Sequence, residues 1–118
     1  MNDRELLELA AKAAGYEVVW GDVTTFADET VVDCSDMLYI KTNGAYWNPL
    51  IDDTDAFRLA VKLGIDLEWR NDGRVAAYRH ANANGNCFTA IESTREDRYA
   101  STRRAIVRAA AEIGREME

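Results

Sequence analysis

The sequence predicts an α+β protein with helices packed on a mostly antiparallel sheet. Three observations predict it. Apolar residues recur at helical spacing in three separate stretches. Short alternating runs rich in Val, Ile, Tyr and Trp lie between them. Gly, Asn-Gly and Asp-Gly signals then punctuate the chain where one kind of run gives way to the other. The order is approximately α-ββ(β)-α-βββ-α, in one domain spanning residues 1–118.

The first helix is predicted from about Asp3 to Ala14. Leu6, Leu9, Ala10 and Ala13 form one apolar stripe, Asn2 or Asp3 caps the start, and Gly15 stands at the C-terminal cap position. Tyr16 to Trp20 is rich in strand formers and stops at Gly21-Asp22. In residues 21–36, Val23 to Phe26 and Thr30 to Val32 each suit a short strand, but acids interrupt them, and the segment reads as a variable loop region. Met37 to Ile40 is a clearer strand, closed by Asn43-Gly44.

After Trp47-Asn48-Pro49-Leu50, a second helix starts in the acidic cluster Asp52-Asp53-Thr54-Asp55. Acids there accept backbone N–H groups and face the positive end of the helix dipole. Ala56, Leu59, Ala60 and Leu63 make its buried stripe, and Gly64 ends it. A three-strand meander follows: Ile65–Trp69, a turn at Asn71-Asp72-Gly73, Val75–His80, a longer turn at Asn82–Asn86, and Cys87–Glu92. The last helix runs from about Asp97 to Met117. Tyr99, Thr102, Ile106, Ala109, Ala110, Ile113 and Met117 share one face, Arg104, Arg108 and Arg115 another, and Glu112 is spaced to pair with Arg108. Each stripe needs cover. Helices on both faces of the sheet, or all on one face, supply it equally.

Composition narrows the function classes. Hydrophobic residues make up 47% and charged residues 30%, which suits a globular chain with its own core. No run approaches the ~18 apolar residues of a membrane helix. The polar start Met1-Asn2-Asp3-Arg4-Glu5 lacks a secretory pattern, so a cytosolic location is expected. Cys34 and Cys87 are then expected as free thiols. The net charge is −7, with nine acids against three bases in residues 1–50. Phosphate backbones repel such a molecule, which disfavours nucleic acid as a partner, while a basic protein partner is compatible with it.

The residues Trp47-Asn48-Pro49-Leu50-Ile51-Asp52-Asp53-Thr54-Asp55-Ala56 and the closing Thr102-Arg103-Arg104-Ala105-Ile106-Val107-Arg108-Ala109-Ala110 carry a resemblance. The chain resembles small tailed-phage and prophage proteins of the phage ABA sandwich family, and more faintly NinX-like phage proteins. The resemblance covers the first helix, residues 47–64 and residues 98–115. It implies a helix/sheet/helix sandwich in a phage accessory protein made in the cytosol of a bacterial host. It implies no activity.

The chemistry-bearing residues each have a structural reading. Cys34, His80 and Cys87 are the only thiols and imidazole; their spacing matches no zinc pattern, and Cys87 beside Phe88 reads as a small core hydrophobe. Asp52, Asp53 and Asp55 would suit a hard cation but serve equally as helix caps, and no calcium-loop spacing is present. Arg95, Arg98, Arg103, Arg104 and Arg108 are diluted by neighbouring acids, and no glycine-rich phosphate loop follows a strand. No catalytic, cofactor or metal residue is therefore assigned.

The candidate interaction surface is Tyr46, Trp47, Asn48, Asp52 and Asp53, with Trp20 or Trp69 as extensions, because aromatics anchor interfaces. The structural reading is that Trp47-Asn48-Pro49 fixes the approach of the second helix. The leading functional expectation is a non-enzymatic accessory protein that binds a host or phage protein. A structural or oligomerising module, using an exposed strand edge or the Ala-rich last helix, is the second. A small hydrolase or nucleotide binder using His80 and the arginines is the third.

Overall fold

The computed structural model describes residues 1–80 and 87–117. The predicted turn at Asn82–Asn86 lies outside the described residues. The fold is α+β in the expected order, and every ladder is antiparallel.

Helix α1 spans Asp3–Ala14, capped by the Asn2 side chain, which accepts the Glu5 N–H at 2.9 Å. Helix α2 spans Asp53–Leu63. Its cap is Asp52, whose carboxylate accepts the Asp55 N–H at 2.9 Å. Helix α3 spans Arg98–Glu116, and Asp97 caps it through the Ala100 N–H at 3.0 Å. Each cap satisfies a backbone donor that has no partner inside the helix. Gly15 and Gly64 close α1 and α2 in the left-handed conformation.

The four strands between α1 and α2 form one long hairpin arm. Strand β1 (Val18–Trp20) pairs with β4 (Leu38–Ile40), and β2 (Val23–Thr25) pairs with β3 (Val31–Asp33). Between the two ladders, Cys34–Met37 stand opposite only Gly21–Asp22, so the hairpin bulges and bends there. Gly21 is required at this joint, because a Cβ would fall 2.3 Å from the Cys34 carbonyl oxygen. Residues 21–36 are thus an ordered ribbon, not a variable loop. Every residue of β2 and β3 is exposed.

Beyond α2, β5 (Asp66–Arg70), β6 (Arg74–His80) and β7 (Cys87–Ser93) form the meander, with β6 in the centre. The register pairs Leu67 with Ala77 and Ala77 with Ala90, which sets Leu67, Trp69, Val75, Ala77, Phe88 and Ala90 on one face. Helix α3 packs against β6 and β7 on that face, while α1 and α2 pack on α3. Of the two layer arrangements the sequence left open, the helices take the one-sided arrangement.

Helix α3 is therefore the middle layer, and it is buried on several sides: Ala105, Ile106, Val107, Ala109, Ala110, Ala111, Ile113 and Gly114 are all inside. A helix contacted from two directions needs small side chains along its length, which explains the alanines. Gly114 is the closest approach, since a Cβ there would lie 2.0 Å from the Leu9 carbonyl oxygen of α1. The alanine stripe is consumed within the chain, so a pairing of two copies through it has no surface to use.

Two expectations about α3 need correction. Tyr99 and Met117, placed on its buried stripe, are exposed: Tyr99 stands at the rim of an open groove between α2, α3 and β5, and Met117 lies past the end of the helix at Glu116. Arg108 pairs not with Glu112 but with Glu92 of β7, since Glu92 reaches it across the helix–sheet interface; Glu112 faces Arg115 at 3.4 Å.

Candidate functional site

The aromatic-Asn-Pro segment is built into the core. Trp47 is 4% exposed and meets the edge of Tyr16 with ring centroids 5.7 Å apart. Asn48 braces the approach to α2: its Oδ1 accepts the Leu50 N–H at 3.0 Å, and its own N–H donates to the Asp55 carboxylate at 2.9 Å. Burial pushes the Asp55 carboxyl above its ordinary value, against the lowering effect of that N–H bond. Asp52 is the cap of α2, and Asp53 accepts from Arg103 at 2.7 Å, tying α2 to α3. Of the five residues singled out in the sequence, Tyr46, Asp52 and Asp53 are exposed, Asn48 is half-buried and Trp47 is inside.

One thiol stands apart from the other thiol and the imidazole. Cys34 sits half-buried at the bulge of the arm. His80 and Cys87 are partners across β6 and β7, and both are exposed. Cys87 is not a core hydrophobe: the register turns it to the open face of the sheet, where its sulfur lies 3.2 Å from Thr89 Oγ1. Among the described residues, no three His, Cys, Asp or Glu side chains are grouped as metal ligands would be. Three of the five arginines, Arg103, Arg104 and Arg108, are committed to carboxylates. Arg104 reaches Asp3 at 3.1 Å, and Arg108 pairs with Glu92 and donates to the Ile91 carbonyl. A polar cleft of about 620 Å³ lies beside them, but Glu92, Glu112 and Glu116 line it too, so an anion entering there meets negative charge.

The surface that stands out lies elsewhere. Helix α3 covers β6 and β7 but leaves the inner face of edge strand β5 open. A groove of about 420 Å³ results between α2, α3 and β5. Its floor is Ala56, Ala60, Leu67 and Ile106. Its rim carries three aromatic side chains: Phe57 is 68% exposed, Trp69 48% and Tyr99 72%. Trp69 is held in place, because its Nε1 donates to Thr102 Oγ1 at 3.3 Å while the Arg98 guanidinium sits 5.8 Å from its ring centroid. Val61, one turn beyond Phe57, extends the exposed apolar ridge along α2.

No family model, curated protein or solved structure matches this chain. No helix among the described residues is long and apolar enough to cross a membrane.

The groove residues were only partly visible in the sequence. Trp69 appeared there as an extension of the Trp47 patch, and Tyr99 as core. Phe57 was not singled out, although it left a signal. Phe57 and Val61 are large apolar residues four apart on α2, off the stripe of Ala56, Leu59 and Ala60. A second apolar line on a short helix needs a second partner.

Proposed function

We propose that this chain is a non-enzymatic binding protein whose groove between α2, α3 and β5 docks an apolar segment of a partner protein. The observation that carries the reading is the set of three half- to mostly-exposed aromatics around an apolar floor. Leaving such side chains in water forgoes their burial energy, roughly 1.5–3 kcal/mol for a large apolar side chain. Contiguous exposed apolar surface on a folded chain marks interaction sites. Trp, Tyr and Arg, all present here, are the residue types that dominate binding energies. The phage or prophage context, and with it a host or phage protein as the partner in a bacterial cytosol, comes from the resemblance of residues 47–56 and 102–110.

Site-specific photo-crosslinking in bacterial cells tests this. A photoreactive phenylalanine analogue at Tyr99 is expected to give a discrete adduct, and Phe57→Glu is expected to abolish it. The same analogue at Thr89, on the open sheet face, should give none. Equal adducts at positions 89 and 99, or none at 99, would remove the groove as a docking site.

A structural or oligomerising module is the second reading. The arm favours it: a two-stranded ribbon is marginal by itself, yet this one holds Val23, Phe26, Val31 and Val32 in solvent.

A further inference from the structure

A cation, Arg98, stands at the mouth of the groove. Among the described residues, Arg98 makes no salt bridge; its guanidinium rests over Trp69. Arg95 lies three residues before it, and the positive end of the α3 dipole points the same way. An occupant matched to this site presents a large apolar side chain next to carboxylates.

The arm carries that combination. Residues 17–36 hold six acids, Glu17, Asp22, Asp28, Glu29, Asp33 and Asp36, and no base. Its tip is the turn Phe26-Ala27-Asp28-Glu29-Thr30, closed by hydrogen bonds from the Phe26 N–H to the Thr30 carbonyl and from the Glu29 N–H to the Phe26 carbonyl. Phe26 is 52% exposed, and the pairing of Thr24 with Val32 sets exposed Val32 on the same face of the ribbon. Asp28 Oδ1 accepts the Thr30 N–H, which fixes that carboxylate within the same turn as Phe26. The ribbon makes its dense contacts only within itself and leaves its own chain's groove uncovered.

We propose that the arm of one copy docks in the aromatic groove of a second, with Phe26 set among Phe57, Trp69 and Tyr99 and the tip carboxylates against Arg98. This rests on the groove being a docking site and names a second copy of this chain as its occupant. The contact is head-to-tail, because arm and groove are different surfaces. It therefore leaves one free arm and one free groove on every pair, and propagates to a ring or an open chain.

Sedimentation velocity on the full chain tests this. The wild type is expected to rise above the mass of one chain as concentration increases, and to lose at least about tenfold in apparent affinity at high salt, because the tip charges are solvent-exposed. An arm variant, Phe26→Ser with Val32→Thr, and a groove variant, Phe57→Glu with Tyr99→Glu, change only exposed side chains. Each is expected to stay at one chain alone; an equal mixture should form pairs and nothing larger, because only one intact arm–groove contact remains. A wild type that stays at one chain up to about 1 mM overturns the proposal. So does a groove variant that still self-associates, since the arms would then be meeting each other. Should the groove variant misfold by circular dichroism, Arg98→Glu replaces it, with the same expected loss and the same overturning result. A Tyr99 photo-adduct with a different protein, together with a one-chain wild type, would retain the groove and remove the second copy.

Discussion

The body around α3 and the hairpin arm use the same residue types to opposite ends. Val107 and Val75 are fully buried, whereas Val23 and Val31 stand in solvent. What differs is the neighbour. The residues of α3 meet α1 on one side and the sheet on the other; those of β2 and β3 pair with each other across the ribbon, with no element packed densely over them. A side chain's environment is set by whether a second layer exists, not by its own hydrophobicity. The body is consequently where stability resides. The arm and groove are the places where apolar surface is left for something else.

That contrast breaks first at the body. Trp47→Ala is expected to cost about 4 kcal/mol of unfolding free energy, because it empties a packed site beside Tyr16. Gly114→Ala is expected to cost about 3 kcal/mol, because α1 and α3 must separate to admit one methyl group against the Leu9 carbonyl. Urea titrations of both variants measure these losses, and a change under about 1 kcal/mol in either would mean that the contact is looser than described. The arm behaves differently: Phe26→Ser with Val32→Thr should leave the same titration within about 0.5 kcal/mol of the wild type.

The smallest effect is local and depends on pH. The carboxyl of Asp33 is held below its ordinary value by the Ser35 hydroxyl, at 2.5 Å, and by the Ser35 N–H. That of Asp28 is lowered by the Thr30 hydroxyl and N–H. A lowered pKa in the folded arm means a contribution fully present above the ordinary value of 3.8 and lost as pH falls through the folded-state value. Cross-strand NMR contacts between Thr24 and Val32 should fade over that acidic window before the contacts of α3 do. Persistence of the ribbon contacts after α3 has melted would reverse the ranking of the two regions.

Legibility in the sequence divided along the same line. The helix starts were readable to within a residue because caps are local: the sequence offered Asn2 or Asp3 for α1 and the acidic cluster for α2, and Asn2, Asp52 and Asp97 each bond an N–H three residues on. The meander was readable from alternation and turn chemistry. The outer half of the arm, β2 and β3, showed in the sequence only as two isolated short strands in a variable loop, because its period-2 pattern buries nothing and acids interrupt it. The exposure of Tyr99 and the position of Cys87 were also hidden. The first depends on α3 packing over β6 and β7 and leaving a groove beside β5, and the second on the register of β7 against β6. Most of the candidate site was equally hidden: Phe57, Trp69 and Tyr99 come together only because α3 lies off-centre on a three-stranded sheet. Trp47 pointed elsewhere because an aromatic before Asn-Pro serves a core and an interface equally well.

Amide hydrogen exchange on the dilute full chain tests the division most directly. Amides of Ile106, Ala110 and Ile113 are expected to exchange only through global unfolding, while those of Thr24 and Val32 exchange at nearly unprotected rates. Equal protection in the two regions would contradict it, since the ribbon would then be part of the body and not a surface held out for a partner.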